Sequence, residues 1–292
     1  MWQRVVSLTL IALCLSAFPM AGATHRRAAA PSSHGLSEVR RVVMIILENT
    51  DAAVAYAHPY LFELALRGGA LRNYHAVTHP SQPNYIALAS GSTHGVVGSD
   101  AVTLAVPHLG DLLDARGLSW KVYAEDYPGN CFLGLGSGTY VRRHVPFLSF
   151  ANVQNDPTRC REAIVNATAF DADVATKNLP AFAMYIPDLR NDGHDTSVTF
   201  ADAWLRARFG PLFDDPAFMD GTLVIVVFDE GTTTGPNIVY CVFYGAGVDP
   251  ATSTTAFYDH YSLLRTIEEI FHLGTLHQHD ETADVIGGIW RR

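Results

Sequence analysis

Hydrophobic positions along this chain alternate between short continuous apolar runs and longer stretches of helical spacing. The clearest runs are 41–47 (RVVMIIL) and 222–228 (TLVIVVF). Each is rich in β-branched residues and lacks a polar face, the pattern of a strand buried on both sides in a parallel sheet. Runs at 119–125, 181–186 and 238–244 predict further strands, and 70–77 reads as an extended segment. Helical spacing predicts helices over 59–67, 84–90, 106–116, 200–213 and 261–273. Gly68, Gly91, Gly117 and Gly274 stop four of them. Strands alternating with helices imply an α/β chain with a mostly parallel sheet and helices on both faces.

Polar residues cluster where these runs end. The run 41–47 leads into Glu48-Asn49, and 222–228 leads into Asp229-Glu230-Gly231. The run 181–186 leads into a segment dense in acids, amides and imidazole that includes Asp192 and His194. In open α/β sheets, ligands bind outside the carboxyl ends of the strands. Ser81 stands where an extended segment turns into a helix, near N–H groups that favour an anion. Pro83 fits a first helical turn, and Asn84 lies close to one turn beyond Ser81. Taken alone, Ser81 reads as a helix cap. The acids that can converge on it make it a candidate nucleophile. Glu48, Asn49, Asp229, Glu230 and Ser81 offer hard oxygen ligands suited to Mg, Mn or Ca, and His194 or His260 would shift the preference toward Zn or Fe. A cation lowers the pKa of a bound hydroxyl, and a protonated His194 or His260 could assist a leaving alcohol.

Composition narrows the classes. The chain has 292 residues, 48% of them hydrophobic, enough for one domain with a large core. Its net charge of -9 gives no electrostatic footprint for nucleic acid and no polybasic patch for anionic membranes. Arg4, an apolar run over 5–18 and Ala21-Gly22-Ala23 have the layout of a secretory signal peptide cut after Ala23. The run is short and wrongly flanked for a spanning helix, so no stable membrane insertion is expected after cleavage, with an uncleaved anchor as the alternative. Residues 24–38 read as a linker and 39–292 as one catalytic domain. Cys131 and Cys160 could close a loop in an oxidising compartment, and Cys241 reads as a buried free thiol, with other pairings open. Over 126–157 the periodicity is lost. That stretch reads as an irregular excursion held by a Cys131–Cys160 bridge and walling a pocket; its Arg142, Arg143 and His144 could contact a substrate anion but read first as solvated loop charges. Asn166-Ala167-Thr168 forms a glycosylation sequon.

Five motifs together carry a resemblance. Leu47-Glu48-Asn49, His79-Pro80-Ser81-Gln82-Pro83-Asn84-Tyr85 with Gly91, Asn191-Asp192-Gly193-His194-Asp195, Phe228-Asp229-Glu230-Gly231 and the segment from His260 to Glu268 resemble the phosphoesterase family of secreted acid phosphatases and bacterial phospholipases C. The resemblance implies an alkaline phosphatase-like three-layer α/β sandwich and a phosphoserine intermediate at Ser81, with Asn84 contacting the phosphoryl group. It also implies a divalent metal ion (Mg, Mn, Ca or Zn) held by Glu48, Asn49, Ser81, Asp229 and Glu230. Asp192, assigned to the metal set, and His194 and His260, assigned to catalysis, match active-site positions. The phospholipases usually carry threonine and arginine where this chain has Ser81 and Tyr85, which favours the phosphatase branch. The expectation is a secreted protein, extracellular or periplasmic, that hydrolyses small phosphate monoesters. A phospholipase C-type phosphodiesterase and a non-catalytic binding protein on a hydrolase fold are the alternatives.

Overall fold

The computed structural model describes residues 33–232 and 235–292. The expected signal peptide, 1–23, and most of the expected linker lie outside the described residues.

Eight strands form the main sheet: β1 Arg41–Leu47, β2 Gly69–Leu71, β3 Trp120–Ala124, β4 Ile164–Asn166, β5 Phe182–Ile186, β6 Thr222–Phe228, β7 Cys241–Gly245 and β8 Thr252–Thr254. Their order is β8-β2-β7-β6-β1-β5-β3-β4. The pairs from β6 across to β4 are all parallel, and β7 alone runs against its neighbours. β1 and β6 occupy the middle, and every residue of both except Arg41 is buried. Their continuous apolar runs therefore match a position covered on both faces.

The helices used below are α1 Pro59–Arg67, α2 Ser81–Ser90, α3 Leu109–Ala115, α4 Val198–Phe213 and α5 His260–Ile270. All ten residues of α2 are buried, so its apolar spacing carries little helical amphipathicity to read. It ends at Gly91, whose φ of 72° suits a left-handed C-cap. A Cβ at Gly91 would also lie 2.3 Å from Asp280 Oδ1, so that position excludes a side chain twice over.

Three expectations change. The extended segment 70–77 is broken: β2 joins the main sheet, and Tyr74–His75 pairs instead with the distant short strand Tyr258–Asp259. The described end of the expected linker is folded, because Ser33–Ser37 is helical and Leu36 is buried against the core. The stretch 126–157 is the irregular excursion expected, but its Arg142 and His144 are buried rather than solvated. It folds into a small hairpin and short helical turns, with Val145 to Phe150 wholly buried. A Cys131–Cys160 disulfide ties it down, and Cys241 is a buried free thiol. The sequon residue Asn166 sits in β4, where its Nδ2 donates to the Tyr127 carbonyl at 2.9 Å. No helix among the described residues is long and apolar enough to cross a membrane.

Candidate active site

Strand register builds the site. Leu47 pairs with Phe228 at the ends of β1 and β6, so Glu48 and Asp229 leave adjacent parallel strands side by side. Backbone bonds continue past the strands: Asp229 N donates to the Leu47 carbonyl at 3.0 Å, and Thr50 N to the Glu230 carbonyl at 3.0 Å. Asn49 takes a positive φ of 47°, a conformation asparagine tolerates. Its N–H then donates to Asp229 Oδ1 at 3.1 Å. From the other side of β1, Glu48 N donates to the Asp192 carbonyl at 3.0 Å. The loop carrying Asp192 is fastened by Glu125, which accepts from Tyr185 Oη, the Asp188 N–H and Asn191 Nδ2.

The first turn of α2 points Ser81 at these acids. Ser81 Oγ lies 3.0 Å from Glu48 Oε2 and 2.9 Å from Glu230 Oε1. One hydroxyl proton serves only one of the two contacts, so the other requires a proton on a carboxyl group or a cation nearby. Glu48 Oε1 accepts from Tyr85 Oη at 2.6 Å, and Glu230 Oε2 is hydrogen-bonded to His79 Nδ1.

Asn84 has a different position from the one expected of a phosphoryl contact. Its Oδ1 accepts from the N–H groups of Val77 and Thr78, at 3.0 and 3.1 Å. Its Nδ2 donates to the carbonyls of Thr78 and Pro80, at 2.9 and 3.2 Å. All four amide bonds therefore go to the backbone, and Asn84 holds the turn that presents Ser81.

The two expected histidines separate clearly. His260 is fully buried at the start of α5. Its Nε2 donates to the Asp229 carbonyl at 2.7 Å, which leaves Nδ1 to accept from Tyr74 Oη at 2.8 Å. Burial pushes its pKa down to about 4. Both nitrogens are occupied, and a neutral ring with that environment is a brace for the β6 terminus rather than a proton donor. His194 is about one-third exposed, with Nδ1 against Asp195 Oδ1 at 2.7 Å.

His144 is the residue that sequence reasoning missed. It is buried with its ring flat against Tyr85, centroids 5.1 Å apart and planes 9° apart. Nε2 lies 3.2 Å from Glu48 Oε1 and Nδ1 lies 3.4 Å from Asp192 Oδ2. Neither contact has hydrogen-bond geometry, so both ring nitrogens are unpartnered. Burial, then the nearby Arg143 charge, holds its pKa well below the usual imidazole range, so these are not ion pairs. Arg142, read as a solvated charge, is instead buried and donates to the carbonyls of Leu133, Val102 and Leu148. The sequence signal for His144 was its place beside Arg142 and Arg143 in a pocket-walling stretch, and without periodicity that stretch carries no information on burial.

The charge state of the cluster bears on what it could hold. Burial first, then the Asp192 carboxylate, pushes Glu48 up to about 8. Burial also raises Asp192 to about 8, against the pull of the His194 N–H, and raises Asp229 well above the carboxylate range with Glu48 and Glu230 adding to it. Asp192 Oδ2 and Asp229 Oδ2 are buried without hydrogen-bond partners. Buried acids that share a site and leave oxygens unpaired are stabilised by a cation among them. Ligand atoms of Glu48, His144 and Asp192 all lie within 4.8 Å of one another. The donor set, carboxylates with one imidazole and a hydroxyl, fits a divalent metal ion.

A mixed sheet with a serine at a helix N-terminus, facing strand-end acids, defines the class: a fold of the alkaline phosphatase superfamily. A protein of that superfamily from Vibrio parahaemolyticus superposes with a TM-score of 0.58 at 13% identity, covering 82% of this chain and 69% of that one. More specifically, residues 54–274 match the model of the Phosphoesterase family, and the chain belongs to that family. It is 38% identical over 261 residues to a probable acid phosphatase of Kluyveromyces lactis, covering 85% of this chain and 62% of that one. It is 32% identical to a phosphatidylinositol-3-phosphatase of Mycobacterium tuberculosis, covering 92% and 86%. The chain spans less than two thirds of the length of the fungal acid phosphatases it matches.

Proposed function

We propose that this chain is a metal-dependent phosphatase that hydrolyses phosphate monoesters through a phosphoserine at Ser81. The observation that carries the reading is the position of Ser81 Oγ, at the start of a buried helix and within 3.0 Å of both Glu48 and Glu230. Glu48, Asp192, Asp229 and Glu230, with Ser81 and His144, would hold the metal. A bound divalent ion would supply a lowered serine pKa and charge neutralisation for a phosphoryl oxygen.

The protein's own groups supply the rest. Ser81 Oγ attacks phosphorus in line, the bond to the ester oxygen breaks, and the serine proton passes to a flanking carboxylate. N–H groups of the first turn of α2, unpaired within the helix, favour the anionic phosphoryl oxygens. His194 has a free Nε2 and access to solvent, so it is the histidine that protonates the leaving alcohol. Water then cleaves the phosphoserine by the reverse set of transfers.

The near-equal length of the mycobacterial relative supports a monoester carried on a lipid headgroup as one substrate. The leader-like residues 1–23 and the Cys131–Cys160 disulfide support export to an oxidising compartment. The test is Ser81→Ala, assayed on an aryl phosphate and on phosphatidylinositol 3-phosphate, with and without chelator and added Mg, Mn, Ca or Zn. Turnover should vanish in the variant and in chelator, with the fold unchanged by circular dichroism. Near-wild-type turnover by Ser81→Ala sinks the nucleophile assignment.

A further inference from the structure

The two carboxylates that face Ser81 share a pattern. Each uses one oxygen toward Ser81 Oγ and has the other fastened by a second side chain. For Glu48, Oε2 faces Ser81 at 3.0 Å and Oε1 takes the Tyr85 hydroxyl at 2.6 Å. For Glu230, Oε1 faces Ser81 at 2.9 Å and Oε2 takes His79 Nδ1. Both fasteners come from the segment that carries the nucleophile: His79 two residues before Ser81, and Tyr85 one helical turn after it. The acids come from elsewhere, the ends of β1 and β6. Asn84 fixes the backbone on either side of His79 through its four bonds to residues 77, 78 and 80.

We propose that His79 and Tyr85 are positioning residues that aim Glu230 and Glu48 at Ser81, so that one short segment sets both the nucleophile and its carboxylates. This rests on the reading of Ser81 as nucleophile and of the acids as metal ligands. A carboxylate with one oxygen tethered loses the freedom to rotate about its terminal bond. The remaining oxygen is then pre-oriented before any cation or substrate arrives. Tyr85 does more than donate: its ring also backs His144 face to face, so it orders two groups of the cluster. Neither His79 nor Tyr85 is assigned a proton transfer.

The experiment uses the full chain and two readouts: affinity of chelator-treated protein for Mn by calorimetry, and steady-state hydrolysis of an aryl phosphate. Tyr85→Phe keeps the ring stack and removes only the hydroxyl. His79→Ala removes the Nδ1 donor, and His79→Asn returns an N–H near that position. His79→Gln places its donor farther out, near the site of Nε2. Loss of a group that orients a metal ligand typically weakens metal affinity or activity by about 10–100-fold. Tyr85→Phe and His79→Ala should each weaken Mn binding and kcat by about that factor, with KM changed less than about twofold. His79→Asn should recover most of the loss and His79→Gln should not. Unchanged Mn affinity and kcat in Tyr85→Phe and His79→Ala would overturn the proposal, as would equal behaviour of His79→Asn and His79→Gln. If the wild type itself binds no Mn and its turnover does not depend on Ser81, the functional reading fails instead, and the two failures are distinct.

Discussion

Glu268 offers a test of the packing beneath α2, the helix that begins with Ser81. It lies on α5, which packs against α2, and it is fully buried with neither carboxyl oxygen hydrogen-bonded. The nearest cation, Arg265 Nη1, is 3.7 Å away. The neighbouring Asp280 is also buried, and its two oxygens accept from the N–H groups of Leu276 and Gln278. Burial, then the Asp280 carboxylate, pushes Glu268 up to about 9 from a starting value of 4.5. The folded chain therefore holds a proton that the unfolded chain releases above about pH 4.5. Stability falls as pH climbs from the unfolded value to the folded one. At roughly 1.4 kcal/mol per pH unit, the penalty at pH 7 is on the order of 3 kcal/mol, reduced by local relaxation to about 1–3 kcal/mol. Glu268→Gln keeps the size and a donor but cannot ionise. It should stabilise the protein by about 1–3 kcal/mol at pH 7.5 and by less than about 0.5 kcal/mol at pH 4, where the glutamate is protonated in both states. The assay is urea unfolding followed by tryptophan fluorescence at the two pH values, with ΔG from midpoint and slope. A variant destabilised at pH 7.5, or shifted equally at both pH values, would show that Glu268 is not held protonated by its surroundings.

Two further outcomes follow from side chains whose partners are on view. His194→Gln should lower kcat about 10²–10⁴-fold for esters with poor leaving groups and much less for an aryl phosphate, whereas His260→Gln should chiefly lower the urea midpoint; the reverse assignment would emerge if His260→Gln alone showed the leaving-group dependence. Arg142→Leu removes a buried donor to three carbonyls, of which those of Val102 and Leu148 also accept from Gln154 Nε2, and should destabilise by about 1–3 kcal/mol, measured by urea unfolding; a loss below about 0.5 kcal/mol would mean that the Gln154 bonds alone hold this segment.

Much of the architecture was legible because central strands announce themselves. The β1 and β6 runs are apolar on both faces, and their bounds agree with the structure to the residue. β4 and β8 escaped notice because three residues are too few for any periodicity to register. Within 126–157 the disulfide was foreseen, but the burial of Arg142 and His144 was misjudged for a related reason. That order comes from Arg142 gathering carbonyls and from aromatic packing, neither of which leaves a periodic trace.

The site divides along the same line. The chain alone determined that acids leave β1 and β6 and that a serine opens a helix after an extended segment, because strand direction decides which residue emerges at which rim. Only the tertiary structure decided which polar groups are free to act. It joined both nitrogens of His260 to Tyr74 and the Asp229 carbonyl, gave the whole amide of Asn84 to the backbone, and left His144 buried and unpartnered between Glu48 and Asp192. A side chain's availability depends on partners supplied by distant segments and on the water excluded around it, and neither is written in the residues beside it.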